Sequence, residues 1–425
     1  MQRAVRAAAV LLLVAAACTS SQEPPADRLD LGRATGATSA QPPTGSPSPA
    51  TEAPADLAGI GGRLAVLDGT GRIVSIAPDG SDEVVLAEAE PGRSENRQPA
   101  WSADGTRLAW VHLEVTDEAT LSASVATSTF DGRQPTETAT EVVPFYLSWD
   151  PTSSRVGYLG PLGEEIEFGV IELAGRTTAT PIGAGQPFYL SWAPGGDELL
   201  VHVGTDRLDR LRLDGSTTGV GDPPGSFSAP VWTADGRTLV YAAQGTLDDR
   251  LVVRHLREDA SRAIVPYDGL ILFVVSPDGS RIAYQVIGET ETSPLSVIDL
   301  ASGETTQVVD DGLVAAFYWS PDGERLLVLD PVPDEDAFWY RWLVWDGVSS
   351  FTTSRFVLSI LFVRDYLPFF EQYAQSMSLW SPDGRAFAYP GMSEDGETGI
   401  WVQPARPDRE PVLVADGEFV TWSPA

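Results

Sequence analysis

One pattern constrains this chain more than any other: an aromatic-ended apolar stretch, a Pro/Asp/Gly turn and a second apolar stretch, repeated along most of its length. It reads "PAWSADGTRLAWV" from Pro99, "LSWDPTSSRVGYL" from Leu147, "LSWAPGGDELLVH" from Leu190 and "PVWTADGRTLVYA" from Pro230. It returns as "FVVSPDGSRIAYQ" from Phe273, "FYWSPDGERLLVL" from Phe317 and "SLWSPDGRAFAYP" from Ser378, and the chain given closes on "VTWSPA". The anchors are Trp101, Trp149, Trp192, Trp232, Val275, Trp319, Trp380 and Trp422, at intervals of 48, 43, 40, 43, 44, 61 and 42 residues. Self-similarity at this period belongs to repeat architectures, in which each unit buries its apolar faces only against its neighbours.

The turn has a local logic. Proline presets φ, aspartate bonds to nearby backbone, and glycine takes the left-handed conformation that ends the hairpin. An apolar residue follows seven positions after each anchor, and Trp110, Tyr158, Val201, Tyr241, Tyr284, Val328 and Tyr389 lie two further on. That is the period-2 alternation of a strand. Most units carry a second glycine turn, near Gly132, Gly175, Gly215, Gly303 and Gly347, so each predicts two hairpins and four strands. The segment from Gly62 supplies three strands without an anchor, and "EFVTWSPA" supplies an anchor strand alone. Together they complete one unit. The fold expected is all-β: a single β-propeller of eight four-stranded blades, with ring closure between the N- and C-terminal strands and seven as the alternative count.

By these turns the chain resembles the TolB-like propeller family, whose blades carry Trp-Ser-Pro-Asp-Gly. The resemblance covers Gly59 to Ala425. It departs where Val275 replaces Trp, where "DPTSS" follows Trp149, and in a count of eight blades where TolB has six. It implies a scaffold role in the cell envelope.

Three segments are expected: 1-17, a lipoprotein-type signal peptide; 18-58, a disordered tether; and 59-425, the propeller. Arg3 and Arg6 precede an apolar run from Ala7 to Ala17, too short to span a bilayer. "AAAC", Ala15 to Cys18, resembles the bacterial lipobox, which implies lipidation of Cys18 and an extracytoplasmic, membrane-anchored protein. The tether is rich in Ala, Pro, Ser and Thr and has no aromatic residue, so it buries too little apolar surface to order itself. About 40 such residues reach roughly 35 Å.

Net charge is −32, and all 28 basic residues are arginine. An acidic surface repels phosphate backbones, so no nucleic acid is expected as a partner. Without lysine there is neither Schiff-base chemistry nor a P-loop lysine, and with one cysteine there is no disulfide within the chain. No G-x-S-x-G elbow is present, and the repeats leave no room for a hydrolase domain. His112, His202 and His255 fall on non-equivalent positions of their units, and the loop Asp330 to Phe338 lacks calcium-loop spacing. The expectation is therefore no metal, no cofactor and no catalytic residue.

The 61-residue interval between Trp319 and Trp380 contains "ILFVRDYLPFFEQYAQSMSLW". Aromatic rings interleaved with a few polar groups suit a recognition surface, because rings give area at low entropic cost and polar groups give direction. The candidate binding residues are Arg364, Asp365, Tyr366, Phe369, Phe370, Glu371, Gln372 and Tyr373. The alternative is an insertion whose rings pack beneath a neighbouring blade. Tyr146 and Tyr189 join the candidates because "PFYLSW" occurs twice, at Pro144 to Trp149 and Pro187 to Trp192, in equivalent inner strands. Both faces of those strands are expected to be buried, with packing, not channel contact, the expected role of the two hydroxyls. The function expected is a non-catalytic binding or scaffold propeller recognising an envelope protein, peptide or glycan. The alternative is a carbohydrate- or peptide-acting hydrolase or lyase with its site at the propeller channel.

Overall fold

The computed structural model describes residues 57–425, apart from 117–119, 175–177, 259, 289 and 335–337. The leader, Cys18 and the tether up to residue 56 lie outside the described residues, as does part of the acidic loop 330–338. Described packing begins at Leu57, which is buried with Ile60 against the closing blade.

Nearly every repeat becomes a four-stranded antiparallel sheet in simple up-and-down order. Blade 1 begins with inner strand Ser94–Trp101, blade 2 with Tyr146–Trp149, blade 3 with Phe188–Trp192 and blade 4 with Val231–Trp232. Blade 5 begins with Leu270–Val275 and blade 6 with Ala316–Trp319. In blade 7 the inner strand is reduced to a bridge between Trp380 and Phe387. Blade 8 joins the ends: Phe419–Trp422 pairs with Leu64–Leu67, in the register Leu64↔Trp422 and Val66↔Val420. Among the described residues the hydrogen-bonded sheets number seven, because Phe356–Leu358 bridges blades 6 and 7 into one eight-stranded sheet. The repeat units number eight.

The anchor tryptophans explain the repeat. Trp149 Nε1 donates to Ala100 O at 2.9 Å, Trp319 to Val274 O at 3.0 Å, Trp380 to Tyr318 O at 3.3 Å and Trp101 to Thr421 O at 3.1 Å. Each acceptor is the residue before the anchor of the preceding blade. In these four blades one side chain thus fills the gap between blades and satisfies an inner-strand carbonyl, whereas Trp192 and Trp232 bury their indole N–H without a partner. Arginine adds a second link at the turns: Arg325 donates to Gly384 O at 2.9 Å and Arg155 to Gly196 O at 3.3 Å, with Arg281 bonded in the same way to Gly323 O.

The turns form as their sequence requires. In blade 5, Ser276 Oγ donates to Asp278 Oδ1 at 2.6 Å and accepts from Arg281 N at 2.9 Å, and Gly279 sits at φ 72°. Burial pushes the Asp278 carboxyl up, but the hydroxyls of Ser276 and Ser280 and the Ser280 N–H together hold it below the usual range. These aspartates are committed to their own turns.

The two copies of "PFYLSW" diverge. Phe188 is buried and pairs with Val203, whereas Phe145 lies before its strand and is 43% exposed. The expectation that both faces are buried in both copies fails at Phe145, because the strand of the first copy begins one residue later, at Tyr146.

Candidate functional site

The long interval before Trp380 folds back into the centre of the ring. It comprises a π-helical turn, Phe362–Tyr366, a 3-10 turn, Leu367–Phe369, and one α-helical turn, Phe370–Tyr373. Inner strands of a propeller have one unpaired edge, so their backbone groups need partners wherever water is excluded. This plug supplies them.

Gln372 is the centre of the arrangement. Its Oε1 accepts from Leu190 N at 2.8 Å, and its Nε2 donates to Leu190 O at 2.9 Å and to the Tyr146 hydroxyl at 2.9 Å. The Tyr146 hydroxyl in turn donates to Gln372 O at 3.3 Å. Glu371 Oε1 accepts from Phe273 N at 2.8 Å, Gln375 Nε2 donates to Pro230 O at 3.1 Å, and the Tyr373 hydroxyl donates to Gln98 Oε1 at 2.9 Å. Rings fill the remaining space: Tyr366 stacks on Phe419 at 4.1 Å, Phe370 meets Phe317 edge-on at 5.1 Å, and Tyr146 meets Tyr373 at 5.2 Å. The plug thereby touches the inner strands, or the residues just before them, of blades 1 to 6 and 8. It runs directly into blade 7.

Burial sets the electrostatics. The Glu371 carboxyl is enclosed in the channel, and burial pushes it up to about 8, against the opposing pull of the Phe273 N–H. It is neutral over the acid and most of the neutral range. Burial also raises the hydroxyls of Tyr146, Tyr366 and Tyr373, so all three stay protonated.

The ten residues singled out from sequence fall in three places. Tyr366, Phe370, Glu371, Gln372, Tyr373 and Tyr146 come together inside the ring, in contact with the chain itself. The Tyr146 hydroxyl does reach the channel, against the expectation of packing alone, because the plug brings Gln372 to it. Arg364 and Asp365 pair with each other near the surface, and Phe369 is 37% exposed, close in sequence to Ile360 at 77%. Tyr189 stacks on Phe227 at 4.4 Å, and Phe227 also meets the ring of His202. Sequence reading missed Gln98 and Gln375, and the backbone of Leu190 and Phe273. The two glutamines carry no local signal; their partners are set only by ring closure.

The histidines belong to different blades. His112 Nδ1 lies 2.8 Å from Asn96 Oδ1, His202 Nδ1 lies 3.2 Å from Ser228 O, and His255 Nδ1 lies 3.3 Å from the Thr238 hydroxyl. Burial pulls His202 down to about 4. Among the described residues no group of three or more His, Cys, Asp or Glu side chains is placed to hold a metal ion. The acids of the described part of loop 330–338 are paired, Asp330 with Arg341 at 2.7 Å and Asp334 with Arg355 at 3.0 Å.

A ring of four-stranded blades closed by its own terminal strand, with a filled axis, is a β-propeller, and its Ser-Pro-Asp-Gly turns resemble those of TolB-like propellers. Among solved structures the chain is similar to TolB from Acinetobacter baumannii, at 14% identity over 58% of this chain and 62% of that one, with a TM-score of 0.40. It is also similar to the β-propeller domain of the trilobed protease from Pyrococcus furiosus, at 12% identity over 77% of this chain and 99% of that one, TM-score 0.48. A third is oligogalacturonate lyase from Vibrio parahaemolyticus, at 9% identity over 76% of this chain and 86% of that one, TM-score 0.45. The chain thus spans less than two thirds of that TolB. No protein-family model matches the chain, and no curated protein does.

Proposed function

We propose that this chain is a non-catalytic, extracytoplasmic binding or scaffold propeller, tethered to a membrane by lipid on Cys18, which recognises an envelope protein, peptide or glycan on the outer surfaces of its ring. The observation that carries this reading is the plug. The axial channel, where a propeller enzyme would gather its reacting groups, is occupied by Gln372, Glu371 and their ring of aromatic neighbours. A hydrolase or lyase acting there requires the plug to leave, breaking the bonds at Leu190, Phe273 and Pro230 together. The lipid tether rests on the sequence around Cys18; among the described residues no helix is long and apolar enough to cross a membrane.

The test is a pull-down from solubilised membranes with the full chain, beside Cys18→Ser and beside Ile360→Ala combined with Phe369→Ala. Ile360 is 77% exposed and Phe369 37%, so melting curves matched to the unaltered chain accompany the double variant. The expected result is membrane release of the Cys18→Ser protein and capture of a defined envelope component by the unaltered chain. Capture of nothing by the full chain, or retention of Cys18→Ser at the membrane, would overturn the corresponding half of the proposal.

A further inference from the structure

Blade 5 differs from its neighbours on the face it turns to blade 4. Its second strand is Arg281–Ile287, its third Leu295–Asp299 and its outer strand Thr305–Val309. Across that face Phe273, Tyr284, Ser296 and Gln307 form one row in register. At the third-strand position blades 1 to 4 have Ala126, Gly169, Asp209 and Val252, blades 6 and 7 have Leu343 and Trp401, and blade 5 has the hydroxyl of Ser296. Tyr284 is partly exposed, whereas its equivalents Trp110, Tyr158, Val201, Tyr241, Val328 and Tyr389 are all buried.

The unfilled space is a groove of about 810 Å³ between the outer strand of blade 4, Ala260–Tyr267, and the body of blade 5. That lies within the range of about 300–1,000 Å³ usual for small-molecule sites. Its walls combine flat apolar surface, from Pro266, Tyr284 and Pro294, with polar side chains. Among the described residues Asp268, Tyr284, Thr305 and Gln307 have no side-chain hydrogen-bond partner, although all four line the groove. Gly288 leaves room for Asp268, since a Cβ there would lie 2.8 Å from its Oδ1.

We infer that this inter-blade groove binds a short neutral glycan. The inference rests on the binding-propeller reading and gives it a site and a ligand class. A pyranose presents an apolar C–H face, which suits a tyrosine ring, and a rim of hydroxyls that both donate and accept. Asp268 and the Gln307 carbonyl accept from such hydroxyls, while the Gln307 amide, Thr305 and the Tyr284 hydroxyl donate to them. Among the described residues no basic side chain lines the groove, so uronic acids and peptide carboxylates have no counter-charge there.

The test uses isothermal titration of the full chain with a panel of short neutral oligosaccharides, their uronic-acid counterparts and a polyproline peptide. A neutral oligosaccharide is expected to bind, and Tyr284→Ala and Gln307→Ala are each expected to weaken it at least tenfold. Tyr284→Phe, which keeps the ring, should retain most of the affinity. Matching thermal unfolding of the variants guards against misfolding. Binding of no neutral sugar, preference for the acidic sugars or the peptide, or indifference to both alanine variants would each overturn the inference. Failure of the scaffold reading looks different: the sugar binds at the groove, but the membrane pull-down captures nothing.

Discussion

The side-chain amide of Gln372 holds both the N–H and the C=O of Leu190, 182 positions earlier in the chain. A single residue thereby caps the free edge of an inner strand as a neighbouring strand would. Replacing Gln372 with leucine leaves the buried N–H and C=O of Leu190 without a partner and removes the amide donor to the Tyr146 hydroxyl, which keeps its bond to the backbone carbonyl at 372. Each such loss costs about 1–3 kcal/mol, with partial relaxation reducing the sum. A decrease of about 2–4 kcal/mol in unfolding free energy is expected by denaturant titration. An effect under about 0.5 kcal/mol, the usual size for a surface site, would mean that Gln372 is not the keystone of the plug.

Glu371 gives the plug a pH dependence of definite sign. Its carboxyl is raised by burial to about 8 in the folded chain against 4.5 when unfolded. Between those values the folded state holds a proton that the unfolded state has lost, so stability falls as pH rises. The contribution is fully present below about pH 4.5 and lost by about pH 8. Glu371→Gln should remove this decline, so that the variant gains on the unaltered chain as pH rises from 5 to 8 in paired melting curves. Parallel curves would show that the carboxyl is not enclosed as described.

The turn aspartates act with the opposite sign. Asp278 is held below its ordinary value of 3.8, so its contribution is present above that pH and disappears as the solution is acidified through the lower folded value. Asp278→Asn should lower stability at neutral pH and flatten the acid limb of the stability curve. A variant with an unchanged acid limb would place the acid sensitivity elsewhere.

Trp319 couples blade 6 to blade 5 through Val274 O, with the Arg281 guanidinium 5.1 Å from the centre of its ring. Trp319→Phe removes the donor and part of the contact surface. The expected loss is about 2–3 kcal/mol. Blade 5 itself tolerates Val275 at this anchor position, so Val275→Trp is a useful converse. If the interface has room the change should stabilise the chain, and if Trp232 and its neighbours already fill it the chain should melt earlier.

The repeat made the architecture legible. Each turn is a local structure whose proline, aspartate and glycine fix its geometry, and each anchor is large enough to demand a neighbour of the same kind. The joining of Leu64–Leu67 to Phe419–Trp422 could also be read, because an anchorless unit and a lone anchor strand complete one another. The 61-residue interval was visible as an anomaly dense in rings. Its neighbours were not.

That division has a physical reason. Strand alternation and turn chemistry act over a few residues, and period repeats them, so sequence alone determined a ring of antiparallel blades. The partners of the plug are set by closure of that ring, which brings Gln98, Leu190, Phe273 and Phe419 to one axis from positions up to 321 residues apart. Many of those contacts are with backbone, which carries no residue identity to read. Only the tertiary structure decided that "EQY" faces inward, while Phe369 and the paired Arg364 and Asp365 lie toward the surface, and that the Tyr146 of one "PFYLSW" meets the plug while the Tyr189 of the other stacks on Phe227.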